Sequence, residues 1–458
     1  ISNNTALGTT AAATTVASNA TLSISGGLTA MAEALTVSGD GVTVSSAEVG
    51  AIRSTSGSNT LTGLVTLAAA AEVQADAGTL TFDVSSGNAF EGAYALTVDA
   101  NTGDVAVADP IATSTGTLTK SGSGTLTLSA ANTYTGATTI STGVVAISNN
   151  TALGDSGVST STTTVSSGAA LSLSGGLSGV TEPISITGSG ILSNGAIRNT
   201  ANSNTISGAV TLLTSSSEIQ SDSGTLTLSG GITGTNIALT VDAVGDVSSA
   251  AITTGSGTLT KSGSGTLTLS GANTYSGATT ISASGGTISV TGTLGASVSP
   301  ASYAGVITIN SSGTLAMSPS AAQTLSGQIT GAGAVTKAGS STLTLSSNTS
   351  NYTGTTTVSA GSLKITQASS LGGSSAGQGT TVSDGATLEV ATSSTVAEPL
   401  TISGAGASSA GALNFSAGGT LSGTVALAAD STVQVANSVT GTVSGVISGS
   451  YALTKGGT

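Results

Sequence analysis

The chain of 458 residues contains no cysteine, no tryptophan and no histidine. Without cysteine there are neither disulfides nor thiolate metal sites. Without histidine the usual base for a nucleophilic serine is missing. Charged residues make up 6% of the chain, with seven Lys+Arg against twenty Asp+Glu and a net charge of −13. So few cations cannot neutralise a phosphate backbone, which argues against nucleic acid as a partner, and anionic membrane surfaces are disfavoured for the same reason. No apolar run approaches the roughly 18 residues that a membrane-spanning helix needs. Aromatic residues are scarce, with six tyrosines and three phenylalanines.

What is abundant is serine, threonine, alanine and glycine, the last 66 times. Such a composition could belong to a disordered linker. The Leu, Ile and Val positions argue otherwise, because they alternate with polar residues in strand register along the whole chain. The charge is uneven: residues 1–250 carry sixteen acids and three bases, and 251–458 carry four of each.

Repetition organises the chain. Gly257–Ile281 reads GTLTKSGSGTLTLSGANTYSGATTI, Gly116–Ile140 is a near-copy, and Gly333–Val358 is a looser one. Ser450–Thr458 opens a fourth copy. Within the unit, Leu267 and Leu269 alternate with Thr266, Thr268 and Ser270, the period of two that puts apolar groups on one face of a strand. Ser262–Gly265 before this strand and Ser270–Asn273 after it are corners. Strand, corner, strand, corner, strand leaves no room for a helix and predicts an all-β solenoid.

Longer repeats surround these units. ISNNTAL at Ile1–Leu7 returns at Ile147–Leu153. Gly50-Ala51-Ile52-Arg53 matches Gly195-Ala196-Ile197-Arg198, and Glu72-Val73-Gln74 matches Glu218-Ile219-Gln220. Glu33, Glu182 and Glu398 each stand just ahead of a strand-like segment. The expected organisation is one solenoid over 1–458, with internal repeats at about 1–146, 147–281, 282–358 and 359–458. Pro183, Pro300, Pro319 and Pro399 fall where strands begin or turns are expected. Coils of roughly 20 residues stacked at about 4.8 Å would make a rod on the order of 100 Å long. Because the sequence begins and ends in mid-pattern, it reads as a segment of a longer rod.

The 25-residue unit, with its Lys, Gly pair, Leu-x-Leu strand and Asn-x-Tyr-x-Gly turn, resembles the passenger-associated transport repeat of bacterial autotransporters. The resemblance implies a right-handed parallel β-helix, exported across the outer membrane through a β-barrel translocator that is not in this segment, and displayed extracellularly on the bacterial cell surface. It also implies an adhesin-like role, although passengers of this fold include proteases, lipases and toxins.

Individual motifs have plain structural readings. Gly154-Asp155-Ser156-Gly157 spells the surroundings of a protease nucleophile, but there is no histidine, and Lys120, the nearest lysine, lies in a repeat corner. Asp99 with Asp104, and Asp242 with Asp246, could be an acid–base pair or a weak calcium site; turn-capping is the simpler reading. Lys120, Lys261, Lys337 and Lys455 recur at one place, where the stem would cover the corner while the ammonium caps carbonyls or sits in water. Asn132, Asn273 and Asn351 read as turn residues. Tyr134, Tyr275 and Tyr352 are expected to pack a ring on a neighbouring coil with the hydroxyl wet. Outward rows mixing Ser, Thr, Asn and Ala are expected on the sheets, unlike the uniform threonine arrays of ice-binding solenoids.

No residue is therefore singled out as catalytic, cofactor-binding or metal-ligating, and no cofactor is expected. The function expected is a non-enzymatic stalk or fibre mediating attachment or cell–cell association. Its partners would be cell-surface or matrix ligands and copies of itself. The alternatives are a spacer carrying an enzymatic or ligand-binding domain outside this segment, and ice or glycan binding along a flat face.

Overall fold

The computed structural model describes all residues except 9, 156, 158–160, 215, 296–299, 375–377 and 458. It divides into two compact units, Ile1–Gly231 and Ile232–Thr458. Both are parallel β-solenoids. Among the described residues there is no α-helix, and the helical content is two single 3-10 turns, Ile191–Ser193 and Ala407–Ser409.

In the first unit one column of parallel strands runs Leu35–Gly39, Val65–Ala75, Leu96–Ala100, Leu118–Ser121, Thr138–Ile140, Thr163–Val165, Ile184–Ile186, Val210–Leu212. A second column includes Asp104–Val107, Thr125–Leu128, Gly143–Ile147, Ala169–Leu173 and Ile197–Asn199. Register partners in these columns lie from nineteen residues apart (Thr125 and Val144) to thirty-two (Gly39 and Ala71), with most between twenty and twenty-six. Among the described strands, the hairpin Thr43–Val44 with Ala47–Glu48 is the antiparallel pair.

The second unit repeats the plan. Leu239–Ala243, Leu259–Ser262, Thr279–Ile281, Ile307–Ile309 and Ile329–Thr330 form one column. Another runs from Asp246–Ser249 through Thr266–Leu269, Gly286–Val290 and Gly313–Met317 to Ala334–Lys337.

Alternation explains both units. Three-residue strands such as Thr138–Ile140 bury the first and third side chains and leave the middle one half-exposed. The inward positions stack Leu, Ile and Val: Ile140, Val165, Ile186 and, in the second unit, Leu267, Ile288 and Leu315 are fully buried. Each buried aliphatic side chain of this kind contributes roughly 1.5–3 kcal/mol relative to exposure. The bulges after Val37 and after Ile402 occupy corresponding places in the two units. Pro183, Pro300 and Pro399 each precede a strand, where a missing N–H costs no ladder bond.

Candidate functional site

The repeated unit places its polar residues inside. Lys120 belongs to the strand Leu118–Ser121, paired in register between Val98 and Ile140, and is fully buried. Its Nζ donates to the carbonyls of Ser121 at 2.6 Å, Gly122 at 2.8 Å and Thr142 at 3.3 Å. Lys261 donates to Ser262 at 2.5 Å, Gly263 at 2.7 Å and Ala243 at 3.4 Å. Lys337 donates to Ala338 at 2.9 Å, Gly339 at 2.8 Å and Ala360 at 3.0 Å. Each ammonium thus has three carbonyl acceptors at a corner; among these carbonyls Ala243 also accepts from Gly265 N–H and Gly122 from Thr142 Oγ1. Lys455 is exposed and reaches the Gly457 carbonyl at 2.9 Å. Burial pulls the three inner lysines down from 10.5 to about 8; for Lys120 and Lys261 the nearby Asp carboxyls (Asp99 and Asp104, Asp242 and Asp246) oppose it.

Glycine makes the corner fit. Gly143 has φ +70°, and a Cβ there would lie 2.4 Å from the carbonyls of Gly122 and Gly124 and 2.7 Å from Lys120 Nζ. Gly286 stands in the same relation to Lys261, at 2.8 Å.

Tyr134, Tyr275 and Tyr352 are fully buried, hydroxyl included, contrary to the expectation of a wet hydroxyl. Each hydroxyl bonds the inward threonine four residues on: Tyr134 to Thr138 at 2.7 Å, Tyr275 to Thr279 at 2.9 Å, Tyr352 to Thr356 at 2.6 Å. A buried phenol finds a partner inside because water cannot reach it. Burial also raises all three phenols. In the middle repeat Tyr303 joins them, its ring centroid 5.6 Å from that of Tyr275 and its hydroxyl 2.7 Å from Thr279.

Asn132 and Asn273 are buried link residues. Their Oδ1 atoms accept the N–H of Ile111 at 2.8 Å and of Ile252 at 3.0 Å, on the preceding coil. Asn351 does not share this place. It is exposed, and Ser350, two residues before Tyr352, takes the role, its Oγ accepting from Ile329 N–H at 3.1 Å. The third copy is offset by one residue at this point.

The paired acids do different things. Asp104 and Asp246 each accept the N–H that opens the strand of the next coil, Thr125 and Thr266, at 2.8 Å. Asp99 and Asp242 each keep a buried Oδ1 without a hydrogen bond. Burial raises the Asp99 carboxyl, against the pull of Lys120. Of the GDSG stretch, Ser156 lies outside the described residues, and Asp155 Oδ1 accepts from Gly157 N–H at 2.9 Å as a turn.

Outward, the strands present rows of hydroxyls. In the first unit Thr97, Thr119, Thr139, Thr164, Ser185 and Thr211 follow one another in register. In the second, Thr240, Thr260, Thr280, Thr308 and Thr330 form an unbroken threonine row, so uniform rows do occur alongside mixed ones such as Thr268, Ser289 and Ala316. Arg53 with Asp76 at 2.7 Å and Arg198 with Asp222 at 2.8 Å are recurrent surface ion pairs.

Sequence reasoning missed the inward threonines and the burial of Glu182 and Glu398. The Tyr-x-x-x-Thr spacing, present in all three copies, was the available signal for the first. The recurring Glu ahead of a strand was the signal for the second.

No curated protein and no solved structure matches the chain. The family model described as passenger-associated-transport-repeat matches it three times, at residues 118–147, 259–290 and 335–365. Those segments are the lysine–tyrosine corners described above. Three such repeats, built into parallel β-solenoid coils, fit an autotransporter passenger domain.

Proposed function

We propose that this passenger works outside the bacterial cell as a structural and adhesive surface, mediating attachment to other surfaces and association with copies of itself. The observation that carries the reading is the direction of the repeats' polar groups. The lysine, tyrosine, asparagine and inward threonine side chains are engaged within the coils, while the outward positions present one hydroxyl row after another. A surface that offers the same weak contact many times suits multivalent attachment better than turnover at one pocket. A repeat-rich β-helix of this kind is not typical of an enzyme. Surface export is what the transport repeats imply, and an outer-membrane β-barrel translocator is the partner that such export calls for.

The test compares producing cells with and without the gene. Electron microscopy should show surface fibres lost in the deletion strain, and settling and attachment assays should show weaker aggregation. An unchanged surface together with unchanged attachment under several conditions would overturn the reading.

A further inference from the structure

Three glutamates lie buried inside the coils, Glu33, Glu182 and Glu398, and no ion pair among the described residues meets any of them. Glu33 Oε1 accepts from Thr14 Oγ1 at 2.8 Å, while Glu182 and Glu398 are the two that end a tyrosine–threonine column. Glu182, 2% exposed, stands in the link before Ile184–Ile186, and both its oxygens are 2.9 Å from Ser161 Oγ. Glu398, 4% exposed, stands at the matching place before Leu400–Gly404, and Thr380 Oγ1 donates to its Oε1 at 2.9 Å. The ion pairs among the described residues are Arg53–Asp76, Arg198–Asp222 and Lys364–Glu389, none of which involves either glutamate.

Each carboxyl ends a column of hydroxyls three coils deep. On one side Tyr134 bonds Thr138, Thr138 pairs in register with Thr163, and Thr163 pairs with Ile184 beside Glu182. On the other, Tyr352 bonds Thr356, Thr356 pairs with Thr380, and Thr380 pairs with Leu400 beside Glu398. The titratable groups that face them are Tyr134 for Glu182 and Tyr352 for Glu398. Both are phenols that burial keeps neutral, so neither supplies a counter-charge. Thr163 Oγ1 is buried with no hydrogen bond of ordinary geometry, and with Ser161 it opposes the upward pull of burial on Glu182. The middle repeat closes differently: there Tyr303, not a carboxyl, meets Thr279.

We propose that Glu182 and Glu398 are proton-operated latches, each holding a proton while its three coils are packed, so that coil stability depends on the acidity outside the cell. An ionised carboxylate buried without a cation is strongly disfavoured, and the group responds by taking up a proton. Burial accordingly lifts both from 4.5 to about 7, against the opposing hydroxyls bonded to them. The folded value exceeds the unfolded one, so this stability is complete below about 4.5 and is lost as pH rises through about 7. Glu72, lifted to about 7 by burial and then by Asp99, Asp40 and Glu48, adds the same sign in the first unit. Glu398 is the cleaner probe.

The experiment is urea unfolding of the purified 458-residue chain from about pH 5 to about pH 8, for wild type, Glu182→Gln and Glu398→Gln, with Glu72→Gln measured alongside to separate that residue's own contribution of the same sign. The wild-type folding equilibrium is expected to fall by about tenfold or more per latch across that range. Each Gln variant, permanently neutral, should lose its share of the dependence and resist urea better than wild type at the alkaline end. Retention of the full pH slope in both Gln variants would overturn the proposal. Should a variant fail to fold, infrared spectroscopy of the wild type decides: protonated carboxyl bands persisting to near neutral pH support the latches, and fully ionised bands at about pH 6 overturn them.

Discussion

Of the twenty acidic side chains, fourteen lie in Ile1–Gly231 with three bases, and six lie in Ile232–Thr458 with four. The first unit also carries both Arg–Asp pairs, whereas the ion pair among the described residues of the second is Lys364–Glu389. Yet the interiors correspond: a buried lysine on three carbonyls, a buried tyrosine on an inward threonine, and a glutamate closing the column occur in both. The coil is therefore specified from within, and the surface charge can drift because exposed charges contribute little to stability.

Predictions follow from pressing on that contrast. The largest effect should come from Gly143→Val, which would press a branched side chain against the Gly122 and Gly124 carbonyls at φ +70°. A loss of more than about 4 kcal/mol is expected, enough to expose the first unit to protease while the second stays protected.

Next come the lysines. Lys120→Met, Lys261→Met and Lys337→Met keep the stem but remove the donor to three carbonyls each, and should each cost about 2–3 kcal/mol despite their different surroundings. A Lys120 variant behaving unlike the other two in urea titrations would show that the acidic surface matters after all. Lys455→Met, at an exposed lysine, should be neutral. The wild-type lysines also carry a pH signature. Their folded value of about 8 is below the unfolded 10.5, so the stability they add is full above 10.5 and is lost as pH falls through about 8, measurable on the alkaline side of the glutamate range.

A smaller effect should separate Ser350 from Asn351. Ser350→Ala removes the acceptor of Ile329 N–H and should cost about 1 kcal/mol, whereas Asn351→Ala should cost almost nothing. The reverse order in thermal melts would restore the simple alignment of the third copy. Smallest of all, Arg53→Ala and Arg198→Ala should each cost below about 1 kcal/mol, with the effect vanishing in high salt, because both pairs are partly exposed.

Much of the fold was legible because a strand's period of two is written directly in GTLTLS and its copies, and because corners need glycine. The repeated lysine was legible as a corner residue, since a lone cation recurring one or two residues ahead of a glycine has carbonyls within reach. The tyrosine was misread because a phenol suits either a wet or a dry place, and the sequence does not say which coil covers it. Asn351 was misread because Asn-Tyr invites alignment by identity, while the ladder counts residues back from the tyrosine.

By itself, then, the sequence determined that the chain is all-β, coiled and repetitive, for the local reason that alternation and glycine spacing fix strand and turn. Which polar groups are dry was decided only by tertiary structure. In sequence Glu182 and Glu398 show only that a glutamate recurs ahead of a strand, which does not say whether its carboxyl is wet or dry. They become buried carboxyls without a cation because coils roughly 20 to 26 residues away in either direction close over them, and dielectric is a property of what surrounds a group.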